Sequence, residues 1–424
     1  MNMFFCAEIV LFLNNTDCPD LKHGAPALFL ETNDKLILFE EPTQFLSERY
    51  VSCGSTSSPH TWAKAAYCLK SWFQFLQAIE REWPNASEQD RADFRDAYLG
   101  SISQKTGMPF GTAGVRDTMA VVRSFYQHCA NRGTYHGDLR IADPITSAQN
   151  VPISRDATAS SWDVDVFKIK DRALPKVRPG VKIHPLPARD LKNLLYQMGP
   201  QAGARDGDQR MARDRLICDL GWVVGLRLNE INSLTTLQFM TLVPDPYTPF
   251  VGMALTVLGK GNKTRQVMIP TWLVIDVQAY MDGERAASIR ACVTKTRSPP
   301  TRLLLGHEHS GKAGKPITNA ALQKIFRNAC LDLGLVSIVE KTDPETGRKF
   351  TYKRPRHSIH DLRHTYAVLT YHAERANGNA EPWKKIQAQL GHSKLQTTID
   401  IYLSHVEIFA DQPGLLDTRR LLGL

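Results

Sequence analysis

Two blocks of helical period, separated by a stretch with none, constrain this chain more than its composition does. Trp62, Ala65, Leu69, Trp72, Phe73, Leu76 and Ile79 follow the i, i+3, i+4, i+7 spacing that gathers one buried face of a helix. Val115, Met119, Val122, Tyr126 and Cys129 repeat it, and a shorter helix is expected around 89–99. An aromatic stripe of this kind is first of all core. Between 149 and 184 the period fails: Pro152, Ser154, Ser160, Ser161, Pro175, Pro179 and Gly180 interrupt it, and basic residues cluster from Lys168 to Lys182. Beyond it, helices are expected at 188–198, 209–225, 228–236, 271–282, 318–333, 358–373 and 382–390. Strands are expected at 250–258, 265–270 and 303–305, with a charged hairpin at 339–353. The chain therefore reads as mainly α with a small β-sheet (α+β). It divides into an N-terminal extension with a hairpin (1–54), a helical domain (55–148), a basic linker (149–184) and a mixed α/β domain (185–424).

At 424 residues the chain buries cores without a disulfide or metal staple. Its eight cysteines form no C-x-x-C pair, so they read as reduced thiols in a cytoplasmic protein. Met1–Leu13 is apolar but short, lacks a basic start and contains Glu8, which makes a poor signal peptide. No apolar run approaches the roughly 18 residues of a membrane span. The net charge of +9 is uneven. Residues 1–54 hold three basic against eight acidic residues, a net of −5, and the remainder carries +14. A basic body points to a polyanionic partner, or simply to a soluble protein that is basic.

Four constellations carry chemistry. In Gly225-Leu226-Arg227-Leu228-Asn229-Glu230-Ile231 one helix ends at Gly225 and another starts near Asn229, which leaves Arg227 at the junction. Its planar fork suits two phosphate oxygens; pairing with Glu230 is the plainer reading. Gly259-Lys260-Gly261-Asn262-Lys263-Thr264-Arg265 joins the two expected strands with a cationic turn, whose glycines allow positive φ. Ser358 and Asp361 form a capping box at the start of a helix, with His360 and Arg363 neighbours on one face. In Leu390-Gly391-His392-Ser393-Lys394-Leu395-Gln396-Thr397-Thr398-Ile399-Asp400-Ile401-Tyr402, Gly391 ends a helix, Ser393 and Gln396 box the next, and Leu395, Ile399 and Tyr402 share a face. Each of these has an ordinary structural reading when taken alone.

Their order along the chain resembles the tyrosine recombinase (phage integrase) family, through GLRLNEI, GKGNKTR, HDLRHT and LGHSKLQTTIDIY across 185–424. The helical block at 60–135 looks like that family's core-binding domain in architecture only. The resemblance implies a site-specific DNA recombinase that forms a 3′-phosphotyrosyl intermediate without metal or cofactor. Tyr402 would be the nucleophile. Arg227 and Arg363 would hold the non-bridging oxygens, and Lys260 would protonate the leaving 5′ oxygen. His360 would manage the tyrosine proton, and His392 would hydrogen-bond the phosphate. It also implies double-stranded DNA as partner, a homo-tetramer on DNA, accessory recombination factors, nucleoid association when DNA is bound, and no membrane. Lys263, Arg265, Arg348, Lys349 and Lys353 are the further expected DNA contacts, the last three on the basic hairpin. Tyr402 stands ten residues after His392, where some family members have nine. A type IB topoisomerase-like enzyme and a catalytically silent DNA-binding regulator are the alternative readings.

Overall fold

The computed structural model describes residues 7–13, 22–32, 35–52, 58–104, 106–137, 173–175, 183–259, 263–292, 298–392, 394–396, 398–399 and 401–402. The chain forms two units. One is Met1–Pro179 with Glu340–Phe350, and the other is Gly180–Val339 with Thr351–Leu424.

The first unit opens with a three-stranded antiparallel sheet in the order β1 (Ala7–Leu13), β2 (Ala25–Thr32), β3 (Lys35–Leu38). β2 and β3 pair as a hairpin in which Thr32 faces Lys35, and β1 lies on the other edge of β2. The α-helices α1 (Glu40–Leu46), α2 (Pro59–Ala78), α3 (Glu88–Gly100) and α4 (Thr112–Asn131) follow. Leu28, Leu30, Phe45 and Leu46 share one buried cluster with Leu69, Trp72 and Phe73 of α2 and with Val115, Met119 and Phe125 of α4. The segment 1–54, expected as an extension, thus contributes β2 and α1 side chains to the core of the helical unit. Its acidic surface residues hid that apolar side from a reading by net charge. Trp72 Nε1 donates to Tyr126 Oη at 3.1 Å, and that hydroxyl donates to the Trp83 carbonyl at 2.9 Å, so the stripe's polar tips are satisfied inside the core. Ile79, expected on the buried face, caps α2 and is 41 % exposed.

The second unit carries α5 (Ala188–Met198), α6 (Ala212–Trp222), α7 (Leu228–Ser233) and α8 (Thr236–Met240). Then come β4 (Gly252–Leu258), β5 (Thr264–Pro270), α9 (Thr271–Tyr280), α10 (Ala286–Arg290) and α11 (Asn319–Asp332). The hairpin β6 (Val336–Thr342) and β7 (Lys349–Pro355) leads to α12 (Ile359–Ala376) and α13 (Pro382–Leu390). β4 and β5 pair from Gly252↔Pro270 to Leu258↔Thr264. Leu255, Val257, Val267 and Ile269 are buried and their neighbours exposed, the period-2 alternation of a half-buried sheet.

The helix expected over 228–236 is two helices, because Thr235 makes a capping box with Gln238 and starts a new one. The strand expected at 303–305 is a single bridge, Leu305 to Pro316. Residues 340–350, expected within the 185–424 domain, group with the first unit, where the Thr342 N–H donates to the Gly107 carbonyl at 2.9 Å. Among the described residues no helix is long and apolar enough to cross a membrane.

If α1 packs into the core of the first unit, Phe45→Ala destabilises that unit by about 3–5 kcal/mol, the range for a buried aromatic truncated to Ala. Phe45 is 1 % exposed, and its ring meets that of Phe125 edge-on at 5.7 Å. Denaturant unfolding of the full chain reads the loss; an unchanged midpoint contradicts the placement.

Candidate active site

The site in the second unit is built on one buried carboxylate. Arg227 is the N-cap of α7, and Glu230 lies three residues on, on the first helical turn. Glu230 accepts from the Arg227 backbone N–H at 2.8 Å and from Arg227 Nη1 at 2.9 Å. Arg265, the second residue of β5, reaches the same carboxylate from the sheet, with Nη1 on Oε1 at 2.5 Å and Nη2 on Oε2 at 3.0 Å. Arg363 Nη1 stands 3.9 Å from Oε2. The Glu230 side chain is 2 % exposed. Burial alone pushes its pKa up; the bonds from Arg265 and Arg227 outweigh that and hold it below its ordinary value.

Arg363 is 1 % exposed on α12. Nη1 donates to the Gly225 carbonyl and Nη2 to the Leu390 carbonyl, both at 2.6 Å. Leu390 is the last residue of α13, so a cation meets an orphan helix-end carbonyl. The close approach needs two glycines. Gly225 has φ +74°, and a Cβ there would stand 2.8 Å from both Leu390 and Tyr366. Gly391 has φ +66°, and a Cβ there would meet Arg265 at 2.7 Å. Gln389 ties the same elements: its Nε2 donates to the Val224 and Met268 carbonyls, and its Oε1 accepts from Met268 N–H. Burial, then Arg227, lowers the Arg363 pKa to about 10, so it stays charged at neutral pH.

Residues 395–396, 398–399 and 401–402 are helical, and this turn carries Tyr402. The Tyr402 side chain is 1 % exposed, with Oη 3.0 Å from His364 Nδ1. Burial raises the Tyr402 pKa to about 12 against the pull of Arg363 and Arg227. Burial, then His360, lowers His364 to about 4, and burial, then Arg363, lowers His392 to about 4. Both imidazoles are neutral at pH 7. His364 Nδ1 is therefore able to accept the phenolic proton. His392 Nδ1 lies 2.9 Å from Thr398 Oγ1, and its Nε2 is 3.4 Å from Arg363 Nη2, a donor. That pattern makes Nε2 the acceptor and Nδ1–H the donor.

The structure thus brings Arg227, Arg363, His392 and Tyr402 together. It places His364, not His360, against the tyrosine hydroxyl. His360 lies one turn nearer the start of α12, with its ring edge-on to that of His364 at 4.7 Å. The pairing of Arg227 with Glu230, the plainer reading of that motif, is present, but sequence reasoning missed that Arg265 shares the same carboxylate, and it passed over His364, which stands one helical turn from His360. Lys260 lies outside the described residues, as do Gly261, Asn262 and Ser393. Gly259 does not take the expected positive φ. Arg265, expected to touch DNA, is committed to Glu230. Lys263 is exposed on the turn. On the hairpin Arg348 and Lys353 are exposed, and Lys349 pairs with Glu340 at 2.9 Å.

With this geometry in place, comparison with known proteins is decisive at the family level. The phage integrase family model matches residues 201–407, the segment holding every member of the cluster. Residues 201–407 are a phage integrase family domain. Among its relatives, the tyrosine recombinase XerC of Chlorobaculum tepidum is 29 % identical over 203 residues, covering 47 % of this chain and 48 % of that protein. XerC of Lactobacillus delbrueckii subsp. bulgaricus is 26 % identical over 207 residues, covering 48 % and 54 %. The chain spans about half the length of the curated relatives it matches. In fold it is similar to the crystal structure of the XerH site-specific recombinase bound to palindromic difH substrate in its post-cleavage complex. The TM-score is 0.50 at 16 % identity, covering 84 % of this chain and 80 % of that one. The phage integrase domain accordingly has the helix-rich α+β architecture expected from sequence.

If Glu230 holds this domain's arginines, Glu230→Gln costs about 3 kcal/mol, as when a buried pair loses one partner. The pH dependence has a fixed sign. A carboxylate with a lowered folded pKa contributes stability that is complete above its ordinary value of 4.5 and is lost as pH falls through the folded value. Unfolding of wild type and variant should differ by a constant amount above about pH 5.5. The gap should close below pH 4.5; a gap that widens in acid contradicts the assignment.

Proposed function

We propose that this chain is a site-specific DNA recombinase that cuts and rejoins DNA strands through Tyr402. The observation that carries the reading is the Tyr402 hydroxyl seated on neutral His364, beside Arg363 and within the field of Arg227. A phenol with a pKa near 12 is a poor nucleophile at neutral pH and needs a base and cationic neighbours, and the cluster has both. Tyr402 Oη attacks the scissile phosphorus and its proton passes to His364. The P–O bond to the 5′ oxygen breaks, leaving a 3′-phosphotyrosyl link and a 5′ hydroxyl once that oxygen is protonated. Lys260 is our candidate for that proton. Arg227 and Arg363 bear the charge on the non-bridging oxygens. His360 and His392 complete the phosphate pocket, with the His392 Nε2 acceptor turning over to a donor when phosphate replaces Arg363 as its neighbour. The bond energy stays in the phosphotyrosine, so a second 5′ hydroxyl rejoins the strand without ATP. Lys263, Arg348 and Lys353 meet backbone phosphates around the site.

Exchange between two duplexes needs four such sites, so the working assembly is a homo-tetramer on DNA. Accessory factors and a cytoplasmic, nucleoid-bound location fit the same reading. Type IB topoisomerase-like relaxation would use the same chemistry with a single protomer.

The test takes nicked duplexes of randomised sequence and recovers those that become covalently attached. Wild type should capture a defined set, Tyr402→Phe none, and Arg363→Ala at a rate reduced by about 10²–10³ or more. With His364 and His392 titrating at about 4, capture should persist at pH 5–6 and fall on the acid side near pH 4, where the base is protonated. Capture that survives in Tyr402→Phe, or a loss centred near pH 6.5, contradicts the mechanism.

A further inference from the structure

Immediately before α5, residues Ile183–Leu186 cross α12 as a strap with no regular structure. Backbone polar groups in such a segment have no ladder to join and must find partners elsewhere. Three of them go to side chains that recur every four residues, one just before α12 and two on its first turns. The His184 carbonyl lies 2.9 Å from His357 Nδ1. The His184 N–H reaches Asp361 Oδ1 at 3.3 Å, and the Leu186 N–H donates to Thr365 Oγ1 at 2.8 Å. Asp361 also closes the capping box of α12 with its other oxygen, and Thr365 Oγ1 donates to the Asp361 carbonyl. One network therefore fixes both the start of the helix and the strap. His357 is 6 % exposed, and its Nε2 is buried with no hydrogen-bond partner. A ring held at that cost for one bond to the strap marks the bond as structurally needed.

Apolar burial pins the strap at each end. Leu186 is 2 % exposed in the main core with Leu362. Ile183 is 2 % exposed in a separate small cluster whose other members include Tyr366, Leu390 and Tyr402. The helix that holds the strap also carries His364 and Arg363. One four-residue segment thus bonds to the helix of the base and shares a buried apolar cluster with the tyrosine.

We propose that the Ile183–Leu186 strap is a positioning element for Tyr402, with Ile183 completing the pocket of its ring and Thr365 locking the strap to α12, so that the hydroxyl stays on His364. The strap touches no reacting atom; it acts through Tyr402 and α12. This rests on the reading of Tyr402 as nucleophile, but its first test does not require DNA. The full chain is labelled with 3-fluorotyrosine, and the Tyr402 fluorine resonance is assigned by its loss in Tyr402→Phe. In wild type that resonance should titrate above free 3-fluorotyrosine. Ile183→Ala and Thr365→Val should each shift it and bring its midpoint back toward the free value. Ile183→Leu and Thr365→Ser should restore both. His184→Ala should change neither, because only the backbone of that residue is used.

On any captured duplex, Ile183→Ala and Thr365→Val should lower the capture rate about tenfold with DNA affinity unchanged. The remaining tyrosine resonances report whether each variant is folded, and where one variant unfolds the other decides. A resonance and midpoint unmoved in a folded variant overturn the proposal. No covalent capture by wild type, with the fluorine shifts present, overturns the nucleophile reading and leaves the positioning role of the strap standing.

Discussion

The carboxylate of Glu230 is the interaction on which the second unit depends. Arg227, Arg265 and Arg363 arrive from a helix cap, a strand and a long helix, and three guanidinium groups do not converge without an anion. Glu230 supplies it from a buried position and binds two of them directly. Like charges brought close in a medium drier than water repel strongly, so one buried carboxylate sets both the stability of the cluster and its residual positive field. That field remains because Arg227 is a third exposed and, among the described residues, its side chain bonds to Glu230 through Nη1 alone. Arg363, by contrast, spends its fork on two backbone carbonyls, so its position belongs to the scaffold, and its charge is what reaches the site.

The same economy explains the neutral imidazoles. Withdrawn from water, with His360 beside His364 and arginines beside His392, the two imidazoles cannot hold a proton near neutrality. An imidazole that burial keeps unprotonated beside a phenol is a base in waiting, and Arg363, which adds to that effect, also favours the phenolate it would leave behind. Charge placement therefore does two jobs with one set of residues. The strap at Ile183–Leu186 adds a geometric condition: a tyrosine held by an apolar pocket moves only as far as the walls of that pocket allow.

Much of this was legible in the sequence, for physical reasons. Long helices with strong period announced themselves, as did α5 and α13, whose ends carry Pro and Gly signals. The capping box of Ser358 and Asp361 marked the start of a helix with His360 and Arg363 neighbours on one face. What escaped were matters of partnership. Nothing local says that Arg265 leaves its turn for Glu230, or that His364 rather than His360 meets Tyr402. That choice depends on where a distant helical turn docks. The hairpin of β2 and β3 was expected, but the burial of β2 escaped for a similar reason. Its burial comes from long-range packing on α2 and α4, which a segment with a net acidic charge does not advertise.

The central claim is that Tyr402 forms the covalent bond to DNA. Proteolysis of a covalent protein–DNA complex, nuclease trimming and peptide mass spectrometry read this directly. A mononucleotide attached through its 3′ phosphate to the peptide containing Tyr402 is the predicted result. An adduct on any other residue, or a link through a 5′ phosphate, would contradict it.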